Sequence, residues 1–243
     1  MKLAAICIGQ AEKLPGKSYK TGICKTAVTA PVMLDRLGLV GDAVCNKKHH
    51  GGPDQAILLE GSLTLDWWAR ELGRVLPPGT FGENLVVDGL ASEGVAVGDR
   101  FHFGAVVLEV TSARIPCATF AARMEDPSFV KRYAKGGRPG AYCRVLREGL
   151  LAPGEAVRYE RFEGDTVSMA ELLATFGKRC TDEQKKRYLA APVRETARDR
   201  ACVLSNPRKA ASCRAGSAGR RSVPWSSRRP WLLPCPWHPD GRQ

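Results

Sequence analysis

Between residues 94 and 111 the sequence alternates on a two-residue period, and this passage constrains the fold more than any other. Val95-Ala-Val-Gly-Asp99 closes on a Gly-Asp turn signal. Phe101 and Phe103 share one face, Gly104 marks the next turn, and Val106, Leu108 and Val110 share a face of the run that follows. Successive side chains leave a strand on opposite faces, so this pattern predicts two half-buried strands joined as a hairpin. Residues 4–8 form another short apolar run closed by Gly9, and residues 141–146 alternate with Tyr142 and Arg144 on one face. Gly, Pro and Asp recur at short intervals throughout residues 1–160. Such dense turn chemistry suits a barrel or sandwich better than a regular βαβ order.

Helices interrupt this pattern in few places. Ser62 is positioned to cap one, with Leu65, Trp68, Ala69 and Leu72 on its apolar stripe and Gly73 as its stop. Trp67 and Trp68 read as packing residues. Residues 164–202 change character. Ser168-Met-Ala-Glu171 and Thr181-Asp-Glu-Gln184 are capping-box patterns, Gly177 and Pro192 are stops, and a third helical segment is expected from Val193 to about Cys202. This small helical appendage has too little apolar surface to fold alone. Residues 203–243 are rich in Ser, Arg, Pro and Gly and lack periodicity. They read as a disordered or aberrant basic tail and are assigned no function.

Composition excludes several classes. The net charge of +12 suggests nucleic acid until its distribution is considered. Residues 203–243 carry eight of the 37 Lys/Arg and one of the 25 acidic residues, so the body is only mildly basic. Its charges alternate in sign, and no basic stripe interleaved with aromatics is present. No apolar run is long enough to span a bilayer, and the N-terminal run is too short for a secretory signal. The expected location is the cytosol, with neither nucleic acid nor membrane as partner. The nine cysteines are odd in number, irregularly spaced and without a CxxC pair, which speaks against a disulfide framework or a structural zinc site.

One of them stands apart. Cys117 follows the hairpin in Thr111-Ser-Ala-Arg-Ile-Pro-Cys117. Upstream, Lys47-Lys48-His49-His50-Gly51-Gly52-Pro53-Asp54 pairs cations with two glycines that can aim backbone N–H groups at one anion, although the same residues also make an ordinary turn. A thiolate beside an anion site can attack an electrophile, carry sulfur or bind a soft metal. Asn84, in Phe81-Gly-Glu-Asn-Leu85, can both donate and accept hydrogen bonds. Arg144 suits a bidentate phosphate contact, and Lys25 follows a Thr-Gly turn.

Taken together, these passages resemble the MOSC domain family, in its YiiM-like branch. The resemblance rests on Thr21-Gly-Ile-Cys-Lys25, Gly38-Leu-Val-Gly-Asp42, His50-Gly-Gly-Pro-Asp54, Phe81-Gly-Glu-Asn-Leu85, Val97-Gly-Asp99, Arg114-Ile-Pro-Cys117 and Tyr142-Cys-Arg-Val-Leu146. It covers about residues 1–160, with the helices of 164–202 similar to the small three-helix domain that follows in this branch. The resemblance implies a β-barrel-like fold holding a molybdenum cofactor, and reduction of N-hydroxylated compounds such as hydroxylaminopurines or amidoximes. It implies Cys117 as the molybdenum ligand with Arg114 beside it. Lys25, Lys48, His50, Gly51, Gly52 and Arg144 would serve the pterin phosphate, and Asn84 and Asp54 would orient pterin or substrate. Electrons would come from a separate flavin or iron–sulfur reductase, since neither a nicotinamide fingerprint nor a cluster-binding cysteine set is present. A persulfide carrier acting through Cys117 and a non-enzymatic cofactor-delivery protein remain as alternatives. The chain departs from the family pattern at Ser112-Ala113-Arg114, where a proline usually precedes the arginine. It also has Ala118-Thr119-Phe120 in place of aromatic-lysine-leucine.

Overall fold

Alternation along single strands decides how this fold is layered. In β1 (Leu3–Gly9) the side chains of Leu3 and Ile6 enter one apolar cluster, while those of Ala5 and Cys7 enter another on the opposite face. In β8 (Leu85–Val87), Leu85 and Val87 go one way and Val86 the other. Both strands are therefore covered on both faces. A register shift between Leu3 and Ala5, where β1 pairs with β8, lets Leu3 and Ile6 share a side despite odd spacing.

The computed structural model describes residues 1–47 and 50–194. In chain order the other strands are β2 (Glu12–Lys13), β3 (Lys20–Thr21), β4 (Lys25–Val28), β5 (Val32–Asp35), β6 (Gly38–Leu39), β7 (Ile57–Gly61), β9 (Arg100–Phe103), β10 (Val106–Ala113), β11 (Ala141–Arg147), β12 (Gly149–Leu151) and β13 (Val157–Glu160). The helices are α1 (Ser62–Leu72), α2 (Ala118–Arg123), α3 (Phe129–Gly136), α4 (Met169–Thr175) and α5 (Asp182–Ala190). Eight strands form one sheet in the order β13-β9-β10-β11-β7-β8-β1-β4, with β7 and β8 its parallel pair. A three-stranded sheet, β12-β5-β6, and the small β2-β3 hairpin complete the β structure among the described residues.

The expected mainly β architecture with few helices is thus observed, but the large sheet is not a closed barrel. Closure requires the two edge strands to pair, and β4 and β13 do not. An isolated bridge between Lys2 and Ala156, with Leu3 and Glu155 bonded at 2.9 Å, ties the start of β1 to the approach of β13.

The hairpin read from the sequence is β9-β10, with Leu108 opposite Phe101 and Val106 opposite Phe103. Helix α1 ends at Gly73, which takes the left-handed conformation at φ 62° as a C-terminal stop. Ser62 is the first helical residue rather than the cap. Its hydroxyl donates to Asp88 and accepts from the Gly89 N–H, which fixes the neighbouring turn instead. Thr181 and Gln184 form a complete capping box on α5. Ser168 caps α4 through the Glu171 N–H, while the Glu171 carboxylate turns to Arg187. Both helices pack on the body, with Val167, Met169, Tyr188, Ala191 and Val193 joining the larger cluster. Val193 and Arg194, where a third helix was expected to begin, are not helical, and Arg194 N–H donates to the Thr111 carbonyl. The rest of that segment and the tail lie outside the described residues.

The second cluster is aromatic. Trp68 stacks on Tyr133 at 5.5 Å, Phe81 meets Phe120 edge-on at 5.3 Å, and Phe129 fills the space between them. This aromatic packing is the floor against which the cavity loops are built.

Candidate active site

The loops at one end of the large sheet converge on a cavity of about 350 Å³. Cys117, Arg114, Asn84, Lys25, His50 and Gly51 all line it, so the structure brings together six of the residues singled out in the sequence. Asp54, Gly52 and Arg144 do not line it. Lys48 lies outside the described residues.

Each wall has a local cause. Strand β10 runs out at Ala113 and delivers Arg114 to the cavity, and Pro116 directs the chain into Cys117, the N-cap residue of α2. The Arg114 side chain is only 5 % exposed. It donates to the Phe81 carbonyl and lies 3.7 Å over the Phe120 ring. Its Nε is buried without a hydrogen-bond partner. The aromatic cluster thus holds the guanidinium in place while its buried Nε–H stays without a partner.

The Phe81–Leu85 motif builds the wall from within. Gly82 has φ 75°, and a Cβ there would stand 2.8 Å from Ile23, so glycine is required. Glu83 is fully buried and accepts the N–H groups of Gly79 and Phe81, the latter at 2.9 Å. Asn84 accepts from Leu58 N–H at 3.1 Å and donates to Asp42 at 2.8 Å. Its amide is spent on joining three segments, which makes it a positioning residue rather than a free ligand reader. Asp42, to which sequence reasoning gave no role, is the hub of this wall. Its carboxylate pairs with Lys25 and accepts from Gly9 N–H at 2.8 Å. The only sequence signal for it was the Gly41-Asp42 pair inside a matched motif.

Upstream of β7, Gly51 (φ 73°) and Gly52 (φ 79°) bend the chain into the short 3-10 turn Pro53–Gln55. His50 packs against Tyr142, with Nδ1 3.5 Å from its hydroxyl. Burial first, then the nearby Arg114 and Arg194 charges, hold the His50 imidazole below its ordinary pKa. This favours the neutral imidazole, a hydrogen-bonding group, over the cation expected from the sequence. The turn also explains Arg144. Tyr142 and Arg144 do share a face of β11, but Gln55 and Ala56 line the cavity, while Asp54 and Arg144 line a separate surface depression. There Arg144 pairs with Asp54 at 3.0 Å and with Glu109 at 3.5 Å, and donates to the Pro192 carbonyl at 3.1 Å.

At the mouth, the Tyr19 and Thr119 hydroxyls meet at 2.9 Å, linking the β2-β3 hairpin to α2. Both residues line the cavity. Thr119 is one of the positions where this chain departs from the family pattern. Among the described residues no three His, Cys, Asp or Glu side chains gather as metal ligands. A metal here would rely on ligands carried by its own cofactor, with one soft protein ligand added.

A mainly β fold in which the thiols of Cys117 and Cys45 and the buried Arg114 line one cavity defines the class. Residues 46–158 match the MOSC domain. The chain is 32 % identical over 177 residues to protein YiiM of Escherichia coli, covering 70 % of this chain and 78 % of that one. It is 37 % identical over 139 residues to protein YflK of Bacillus subtilis, a match spanning 57 % of this chain and 63 % of the relative. A protein named reductase from Gibberella moniliformis is 31 % identical over 165 residues, 64 % of this chain but only 27 % of that longer protein. The crystal structure of YiiM from Geobacillus stearothermophilus superposes with a TM-score of 0.69 at 25 % identity, covering 84 % of this chain and 98 % of that one. The chain belongs to the MOSC domain family, in its YiiM-like branch. No helix of the described residues is long and apolar enough to cross a membrane.

Proposed function

We propose that this cavity holds a molybdenum cofactor and that the chain reduces N-hydroxylated compounds of the hydroxylaminopurine or amidoxime type in the cytosol. The observation that carries the reading is the Cys117 thiol opening, beside buried Arg114, into the cavity of a MOSC domain. The fungal relative's name, reductase, supports the class of reaction. The residues fit such a group. Cys117 offers a soft ligand, and the wall holds polar atoms, the Arg114 Nε and the Gln55 Oε1, that are buried without partners.

Bound there, the cofactor would supply a metal able to pass two electrons to an N–O bond. The chain's own groups do the rest. Cys117 would hold the metal as its soft protein ligand. Arg114, itself buried, would place positive charge beside the cavity, where it could stabilise negative charge on the departing oxygen. His50, with Nδ1 3.5 Å from the Tyr142 hydroxyl, could take up a proton at a ring nitrogen and pass it on. The balance is an N-hydroxyl group plus two electrons and two protons, giving the amine and water. The electrons come from a separate flavin or iron–sulfur reductase.

Reduction of a hydroxylaminopurine with dithionite as donor tests the reading. Turnover in fully metallated protein is expected, and none would overturn it. A second thiol on the cavity wall, Cys45, favours a persulfide-carrier reading instead. A sulfur adduct on Cys117 with no molybdenum would select that reading. Exchangeable bound pterin without turnover would select a delivery protein.

A further inference from the structure

Gln55 belongs to none of the roles described so far, yet its position is unusual. It closes the 3-10 turn, lines the cavity and is only 7 % exposed. Its backbone N–H is used by the Gly52 carbonyl, but its side-chain Oε1 is buried with no hydrogen-bond partner. An amide oxygen left so costs about 1–3 kcal/mol, and buried polar atoms are otherwise almost always paired. Arg114 shows the complementary defect on the same cavity, a buried Nε–H donor with no acceptor. The neighbouring carboxamide, Asn84, has no such vacancy, because both its ends are bonded. Two residues of the cavity lining therefore each keep a buried polar atom without a partner, an acceptor on Gln55 and an Nε–H donor on Arg114.

We propose that Gln55 is a specificity-determining residue that, with Arg114, reads a planar ligand edge carrying an N–H donor beside a nitrogen or oxygen acceptor. That edge is found in amidines, aminopurines and pterins. The ligand's N–H satisfies Oε1 of Gln55, and its acceptor takes the Arg114 Nε–H. A ring lacking the amino group leaves the Gln55 oxygen buried and unpaired, and the site discriminates against it for that reason. The proposal rests on the reductase reading only in making the substrate one source of the edge. The other source is the pterin of the cofactor itself.

Isothermal titration of the whole chain with 9-methyladenine, with 9-methylpurine (the same ring without the amino group and with no ring N–H) and with 6-hydroxymethylpterin tests this directly. 9-Methyladenine or the pterin should bind the wild-type protein about tenfold or more tightly than 9-methylpurine. Gln55→Leu should bring the preference to within about twofold, whereas Gln55→Glu, which retains an acceptor, should keep it. Binding of 9-methyladenine assigns the edge to the substrate, and binding of 6-hydroxymethylpterin alone assigns it to the cofactor. The proposal is overturned if neither binds better than 9-methylpurine, or if Gln55→Leu keeps the preference. Molybdenum content is measured separately on the same preparations. Its absence would sink the reductase reading while leaving the edge preference to stand or fall alone.

Discussion

The two walls of the cavity are built in opposite ways. On the Phe81–Asn84 side the polar groups are consumed internally. Glu83 holds its own loop, Asn84 joins Leu58 to Asp42, and Asp42 in turn encloses Lys25. On the other side, Gln55 and Arg114 line the cavity and each keeps one buried polar atom without a hydrogen-bond partner. The difference separates residues that look alike in a sequence. A polar residue in a motif can serve the wall or the ligand, and its hydrogen-bond accounting tells which.

Substitutions in the first wall should cost stability, and those in the second should cost binding. Phe81→Ala removes the ring at the centre of the aromatic cluster and should destabilise the fold by about 3–5 kcal/mol, read as a fall in denaturation midpoint. Retained stability would mean that the floor under Arg114 is not packed as described. Asn84→Leu leaves the Leu58 N–H without its partner and an Asp42 oxygen with one fewer donor, at a cost of roughly 2–3 kcal/mol. If that variant is as stable as wild type but binds ligand poorly, Asn84 belongs to the second wall and the comparison fails there.

Glu60 sharpens the contrast through pH. It is fully buried behind the first wall, its Oε2 has no partner, and burial raises its pKa to about 8. The folded state thus keeps a proton that the unfolded chain releases near pH 4.5. The stability linked to this group is fully present below about pH 4.5 and is lost as pH rises towards about 8. Urea titrations from pH 5 to 9 should show wild type losing stability relative to Glu60→Gln as pH rises. Parallel curves would show that the carboxyl is not held neutral.

The smallest effect belongs to the mouth. Tyr19→Phe removes an exposed hydrogen bond worth at most about 1 kcal/mol, so global stability should not change measurably. Amide exchange in the β2-β3 hairpin should nevertheless quicken, because a two-stranded hairpin alone is marginal. Unchanged exchange would show that the Tyr19–Thr119 contact does not hold the hairpin over the cavity.

What was legible in the sequence was local. The β9-β10 hairpin, α1 with its Gly73 stop and the Thr181 capping box each depend on residues within a few positions of one another. Pairings over distance were not legible. Asp42 meets Lys25 and Asn84 across 17 and 42 positions, and nothing in a local pattern marks it as their hub. Arg144 lies off the cavity for a related reason. Alternation correctly put it on the face of Tyr142, but the 3-10 turn that divides that face comes from residues 53–55. Whether the sheet closed was decided by its edge strands, β4 and β13, which lie at opposite ends of the domain's sequence. Gln55 carries no signal in the sequence, because an unsatisfied atom is visible only once its neighbours are placed.

The central claim is that Cys117 anchors a molybdenum cofactor in this cavity. Molybdenum and pterin content of the whole chain made in a cofactor-competent host, beside Cys117→Ala, tests it most directly. Near-stoichiometric molybdenum in the wild type, lost in a Cys117→Ala protein of unchanged fold, is the predicted result. Well-folded wild type without molybdenum, or a mutant that keeps the wild-type stoichiometry, would contradict it.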